Sequence, residues 1–82
     1  MNYILTEHAR KRCARRGIDL KWIANALAYA TRVECDPDDA SLAHALWPVP
    51  ERRFKVLRVI YNETVDPVAV VTAYFDNEVS EL

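Results

Sequence analysis

Three features of the chain predict an α+β fold in which two N-terminal helices pack on a four-stranded antiparallel sheet. Apolar side chains recur at helical spacing through the first thirty residues, and the later segments shift to a period of two with β-branched and aromatic enrichment. The length of 82 residues, 51% hydrophobic and 28% charged, gives room for one domain, spanning 1–82, around one core. A core this small is marginal alone, which makes a homodimer the expected assembly.

The first helix is placed at Glu7 to Arg16. Thr6 is a suitable N-cap, Ala9 and Cys13 form a narrow apolar stripe, and Gly17, the sequence's one glycine, stands where a left-handed C-terminal cap is wanted. Asp19 caps a second helix, in which Leu20, Ile23, Ala24, Leu27 and Ala30 or Thr31 make a core-facing stripe widened by Trp22 and Ala26. A short strand follows at Arg32 to Cys35, then a turn at Asp36-Pro37-Asp38-Asp39 and a returning strand at Ser41 to Trp47, with Pro48 and Pro50 breaking the ladder. Phe54 to Tyr61 and Val68 to Phe75 read as an antiparallel hairpin around Asn62, Asp66 and Pro67.

With Arg58 set opposite Thr72, this hairpin puts Leu57, Val59, Tyr61, Val71, Ala73 and Phe75 on the face toward the helices. Val56, Arg58, Ile60, Val70, Thr72 and Tyr74 share the other face. An apolar surface interrupted by Arg58 calls for a ligand, a partner chain or a symmetry mate. A charge between Val56 and Ile60 must find a carboxylate or a phosphate.

The formal net charge is −1, which argues against a protein that coats nucleic acid through net charge, yet charge is sorted along the chain. Six cations lie between Met1 and Lys21 against Glu7 and Asp19, whereas the last seven residues hold three acids and no base. No apolar run approaches a membrane span, and Met1 to Leu5 lacks a secretory pattern, so the expected location is cytoplasmic. Cys13 and Cys35 lack the close spacing of zinc or redox sites and are expected as buried thiols, and no metal or cofactor is expected. His44 is expected as a half-buried strand residue.

The densest chemical signal is Thr6 to Ile18, where His8, Arg12 and Arg16 recur every four residues and so share one helix face. A titratable imidazole beside two permanent cations can hold, and perform proton transfer on, a phosphodiester. The ordinary fate of such arginines is to lay their stems along the Ala9 and Cys13 stripe and pair with acids such as Glu34 or Asp36.

His8-Ala9, Arg12-Cys13 and Arg16-Gly17-Ile18, followed by an apolar helix and strands reading RVIY at 58–61 and VVTAY at 70–74, resemble the bacterial family catalogued as domain of unknown function 4258. The likeness spans nearly the whole chain, with Cys13 standing where a larger apolar residue, often methionine, is expected. The resemblance implies a small toxin-like domain with the helices-on-sheet architecture of RelE and barnase-type ribonucleases. RNA cleavage without a metal needs a base for the 2′-hydroxyl, an acid for the leaving 5′-oxygen and cations around the phosphorane. Cations flanking His8 favour an uncharged imidazole, which assigns it as the base. Tyr74 is then a proton donor or stacking platform, Arg58 a catalytic cation, Arg12 and Arg16 phosphate ligands and Thr72 a hydrogen-bond orienter. The implied partners are RNA or the ribosome and an antitoxin protein. A non-catalytic interaction or dimerisation module, using the same strand face, fits the acidic balance equally well.

Overall fold

The computed structural model describes residues 1–79 and 82. In chain order these form β1 (Tyr3–Leu5), α1 (Glu7–Arg15), α2 (Leu20–Tyr29), β2 (Arg32–Cys35), β3 (Leu42–Val49), a 3-10 turn (Pro50–Arg52), β4 (Lys55–Asn62) and β5 (Val68–Phe75). The class is α+β, but the sheet has five strands in the order β1-β5-β4-β3-β2. It is also mixed, because β1 runs parallel to β5, pairing Tyr3 with Val68 and Leu5 with Val70. The expected four-stranded antiparallel sheet is therefore corrected. A three-residue strand is too short to express a period, and β1 exists because it covers part of the edge that β5 would otherwise present.

Both helix starts follow from their caps. Thr6 Oγ1 accepts from the Ala9 amide at 3.1 Å, and Asp19 Oδ1 accepts from the Lys21 amide at 2.8 Å. Gly17 closes α1 at φ +66°, a left-handed conformation that glycine adopts at no steric cost. Ala9 and Cys13 from α1 and Trp22, Ile23, Ala26 and Leu27 from α2 face the sheet, where Ala43, Ala45, Leu57, Val59, Tyr61, Val70 and Ala73 complete one buried core. Burial pushes the Cys13 thiol up, against the opposing pull of Arg16. Cys35, expected to be buried, is exposed on the outer strand β2.

Pro48 does not end its strand. The pairing of β2 with β3 stops at Leu46, whereas β3 continues against β4 as far as Val49 opposite Lys55. Pro48 thus sits where β3 has become an edge strand, a position that tolerates a missing N–H.

The β4–β5 register differs from the expected one by two residues. Arg58 stands opposite Tyr74 and Ile60 opposite Thr72, and beyond an irregularity at Ile60/Tyr61 the pairs become Tyr61 with Val70 and Asn62 with Ala69. Between these pairs β4 advances one residue and β5 two, so Val71 is the extra residue of a bulge. One residue from the bulge and one from a wider turn account for the difference. The even shift keeps Arg58, Thr72 and Tyr74 on a common face, but the bulge rotates Val70, expected on that face, into the helix-side core, where it is fully buried.

Candidate functional site

The sheet face away from the helices carries a line of polar groups that begins with the antiparallel registers. Glu34 on β2 lies opposite His44 on β3, and Arg58 on β4 lies opposite Leu46 on one side and Tyr74 on the other. Arg58 Nε donates to Asp76 Oδ2 at 2.8 Å, and Nη1 donates both to Glu34 Oε1 and to His44 Nδ1 at 2.9 Å. The other imidazole nitrogen, Nε2, lies 2.7 Å from Asp36 Oδ1. A guanidinium can only donate, so Nδ1 is the acceptor and Nε2 carries the proton given to Asp36. The result is a chain of groups from Asp36 through His44 to Arg58, closed by two further carboxylates. The required counter-charge for Arg58 is thus supplied twice.

Electrostatics follow the geometry. The hydrogen bond from Arg58 holds the Glu34 carboxyl below its ordinary range, with Arg32 adding to the effect. His44 and the amides of Asp38 and Asp39 do the same for Asp36. Asp76 is lowered first by the Glu78 amide, then by Arg58. Burial alone would lower the Arg58 guanidinium, but bonds to Glu34 and Asp76 outweigh it and the group is raised. Its side chain is only 12% exposed.

A second polar group lies at the edge of the same strand. β1 pairs with β5 only up to Val70, so among the described residues the edge beyond it has no strand beside it. Arg12 and Arg16, one turn apart on α1, reach this gap from the helix layer. Both donate from Nη1 to Thr72 Oγ1 at 3.3 Å, and Arg16 also donates to the Ala73 carbonyl at 2.7 Å. These contacts span 56 to 60 residues of sequence. Neither arginine pairs with Glu34 or Asp36, the partners an ordinary helix face offered.

Five of the six candidate residues thus share one stretch of the molecule. Arg12 and Arg16 converge on Thr72; Tyr74 follows two positions along the same strand and face; Arg58 lies opposite Tyr74. His8 is one turn before Arg12, exposed, and among the described residues it takes part in no side-chain hydrogen bond. α1 packs on β5 and β1, while Arg58 belongs to β4 and faces away from the helices. Among the described residues, no hydrogen bond or ion pair joins His8 to Arg58.

Sequence reasoning read His44 as a half-buried strand residue, offered Glu34 and Asp36 as partners for Arg12 and Arg16, and passed over Asp76. His44 is 7% exposed, with both ring nitrogens engaged. The signal was present in the β2–β3 hairpin: pairing Cys35 with Ala43 across the Asp36–Asp39 turn puts Glu34 opposite His44 on the face of Arg58. Asp76, one residue past the last strand, had no periodicity to mark it. Among the described residues, no three of His, Cys, Asp and Glu are grouped so as to hold a metal ion, and no helix is long and apolar enough to cross a membrane.

A two-helix layer on a mixed sheet, with an ionic network on the opposite face, defines the class as a small α+β domain with a polar sheet surface. The family described as Domain of unknown function (DUF4258) matches residues 5–75, and the chain belongs to it. That match includes every candidate site residue and stops one residue before Asp76. No curated protein and no solved structure matches the chain, so the expected likeness to RelE and barnase-type ribonucleases finds no support there.

Proposed function

We propose that this domain is a metal-independent endoribonuclease acting at the β5 edge and the adjoining outer sheet face. The observation that carries the reading is the meeting of Arg12 and Arg16 with Thr72, beside Tyr74 and its cross-strand neighbour Arg58. Cations from distant parts of the sequence are collected around one hydroxyl, and a phosphate oxygen offers those donors a stronger acceptor than that hydroxyl does.

In the reaction, His8 removes the proton of the ribose 2′-hydroxyl, and the 2′-oxygen attacks phosphorus. Arg12 and Arg16 bind the non-bridging oxygens and balance their charge as the phosphorane forms, and Thr72 orients them. The bond from phosphorus to the 5′-oxygen then breaks. Tyr74 supplies the proton to that oxygen, leaving a 2′,3′-cyclic phosphate.

A second reading, a non-catalytic interaction module with homodimer, antitoxin or other protein partners, is favoured by one observation: Glu34 and Asp76 already neutralise Arg58. Incubation of end-labelled RNA with the purified chain and chelator, beside His8→Ala and Arg58→Ala, separates the two. The ribonuclease reading expects a cyclic-phosphate product and a loss of about a hundredfold or more in His8→Ala, the scale of a missing acid or base. Intact RNA with all three proteins, ribosomes included, sinks it in favour of the interaction module.

A further inference from the structure

The β3–β4 connection, Pro50 to Lys55, presents a feature that neither the core nor the proposed cleavage site uses. Its first half is tied to the fold. Trp22 Nε1 donates to Glu51 Oε2 at 3.2 Å, and Arg52 Nη2 donates to the Gly17 carbonyl at 3.2 Å. The Arg52 guanidinium also stands 5.3 Å over the Trp22 ring and 5.6 Å over Phe75. Its second half projects. Arg53, Phe54 and Lys55 are exposed, and among the described residues none of their side chains makes a hydrogen bond or ion pair.

Two backbone facts make this projection a built feature. Arg53 and Phe54 sit consecutively at φ +55° and +62°, the left-handed region that a bulky side chain enters only at an energetic cost. The turn itself is closed by amides alone, Arg53 N to the Pro50 carbonyl at 3.2 Å and Phe54 N to the Val49 carbonyl at 2.9 Å. Glycine or asparagine at 54 would close it with less strain. A phenylalanine is held there instead, 65% exposed, between two cations. Beside it lies a cavity of about 260 Å³ lined by Glu51, Arg52, Arg53 and Lys55, the acid of that set being engaged by Trp22.

A water-exposed aromatic ring flanked by unpaired cations matches what an unpaired nucleotide strand offers: a base face to stack on and phosphates on either side. We infer that the Arg53-Phe54-Lys55 tip is a docking site for single-stranded RNA, with Phe54 stacking on a base and Arg53 and Lys55 binding the adjacent phosphates. This deepens the ribonuclease reading, on which it rests for the choice of RNA over other polyanions.

Fluorescence anisotropy of a labelled, unstructured RNA oligonucleotide tests the tip by binding alone, with no turnover needed. Phe54→Ala should weaken binding roughly tenfold, the scale of one lost base stack, while Phe54→Trp keeps or improves it. Arg53→Asn, which suits the left-handed backbone, should weaken binding and reduce the salt slope by about 0.7, one phosphate contact on a single strand. Thermal melts of each variant check that the fold is kept. Wild-type affinity in Phe54→Ala, equal affinity for a duplex of the same length, or no binding by the parent chain overturns the tip proposal. Tip-dependent binding by a chain that leaves RNA intact overturns cleavage but not docking.

Discussion

The two faces of the sheet are closed by different means. On the inner face two amphipathic helices bring Ile23, Leu57, Val59 and Val70 to full burial against one another. On the outer face Leu46 is also fully buried and Val56 is 5% exposed, yet among the described residues no helix lies over them. Directly opposite Leu46 on this face stands Arg58, its head held by Glu34, His44 and Asp76. Both helices of the described residues pack on the inner face. The lesson is that the outer face is held by an ion network, so Arg58 and its carboxylate partners are structural groups.

The sharpest way to break this comparison is to cut each face once. Leu57→Ala should cost about 3 kcal/mol, the scale for a truncated buried leucine. Arg58→Ala should cost about 2 kcal/mol, less than a fully buried pair because Glu34 remains more than one-third exposed. It leaves Asp76 and Glu34 without their counter-charge. Arg58→Met keeps an apolar stem opposite Leu46 and should recover part of that loss. Denaturant melts give all three values; if Arg58→Ala melts like the parent chain, the ion network does not hold the outer face.

Acid should separate the faces next. Glu34, Asp36 and Asp76 all have carboxyl groups lowered in the folded state. A lowered folded value means that the unfolded chain binds protons first. Their contribution is therefore complete above the ordinary carboxylate range near pH 4 and is lost as pH falls through the lower folded values. Asp76→Asn should flatten this decline, whereas Leu57→Ala should shift the whole curve downward without changing its slope. An unchanged acid slope in Asp76→Asn would remove Asp76 from the network's energetics.

What could be read in the sequence divides along the same line. The inner face was legible because a 3.6-residue stripe and a two-residue alternation are written directly in residues such as Ile23, Leu27, Leu57 and Val59, and the capping roles of Thr6, Asp19 and Gly17 are local chemistry. The outer face depends on register. Glu34, His44 and Arg58 come together only when three strands are aligned, and a bulge at Val71 exchanges Val70 from one face to the other. Periodicity names a face but fixes no partner. β1 failed for a related reason, since its place is set by the open edge of β5 rather than by anything within Tyr3–Leu5. Arg12 and Arg16 were singled out by spacing, but their contact with Thr72 needed both the helix docking and the point at which β1 ends.

The smallest expected effect concerns that edge, and it asks whether the two arginines serve the fold or the substrate. Thr72→Val removes the hydroxyl that accepts from both, and Arg16→Ala also removes the donor to the Ala73 carbonyl; each should cost about 1 kcal/mol, the net worth of an ordinary hydrogen bond. The loss is limited because water can reach this edge and replace the missing partners. Arg16→Lys separates the roles: an ammonium can still donate to the Ala73 carbonyl but cannot present the guanidinium's paired donors to a phosphate. Near-parent stability with a tenfold or greater loss of RNA cleavage assigns the residue to the phosphate. Equal, small losses in both measurements assign it to closing the sheet, and the outer face would then be a structural surface from β2 to the β5 edge.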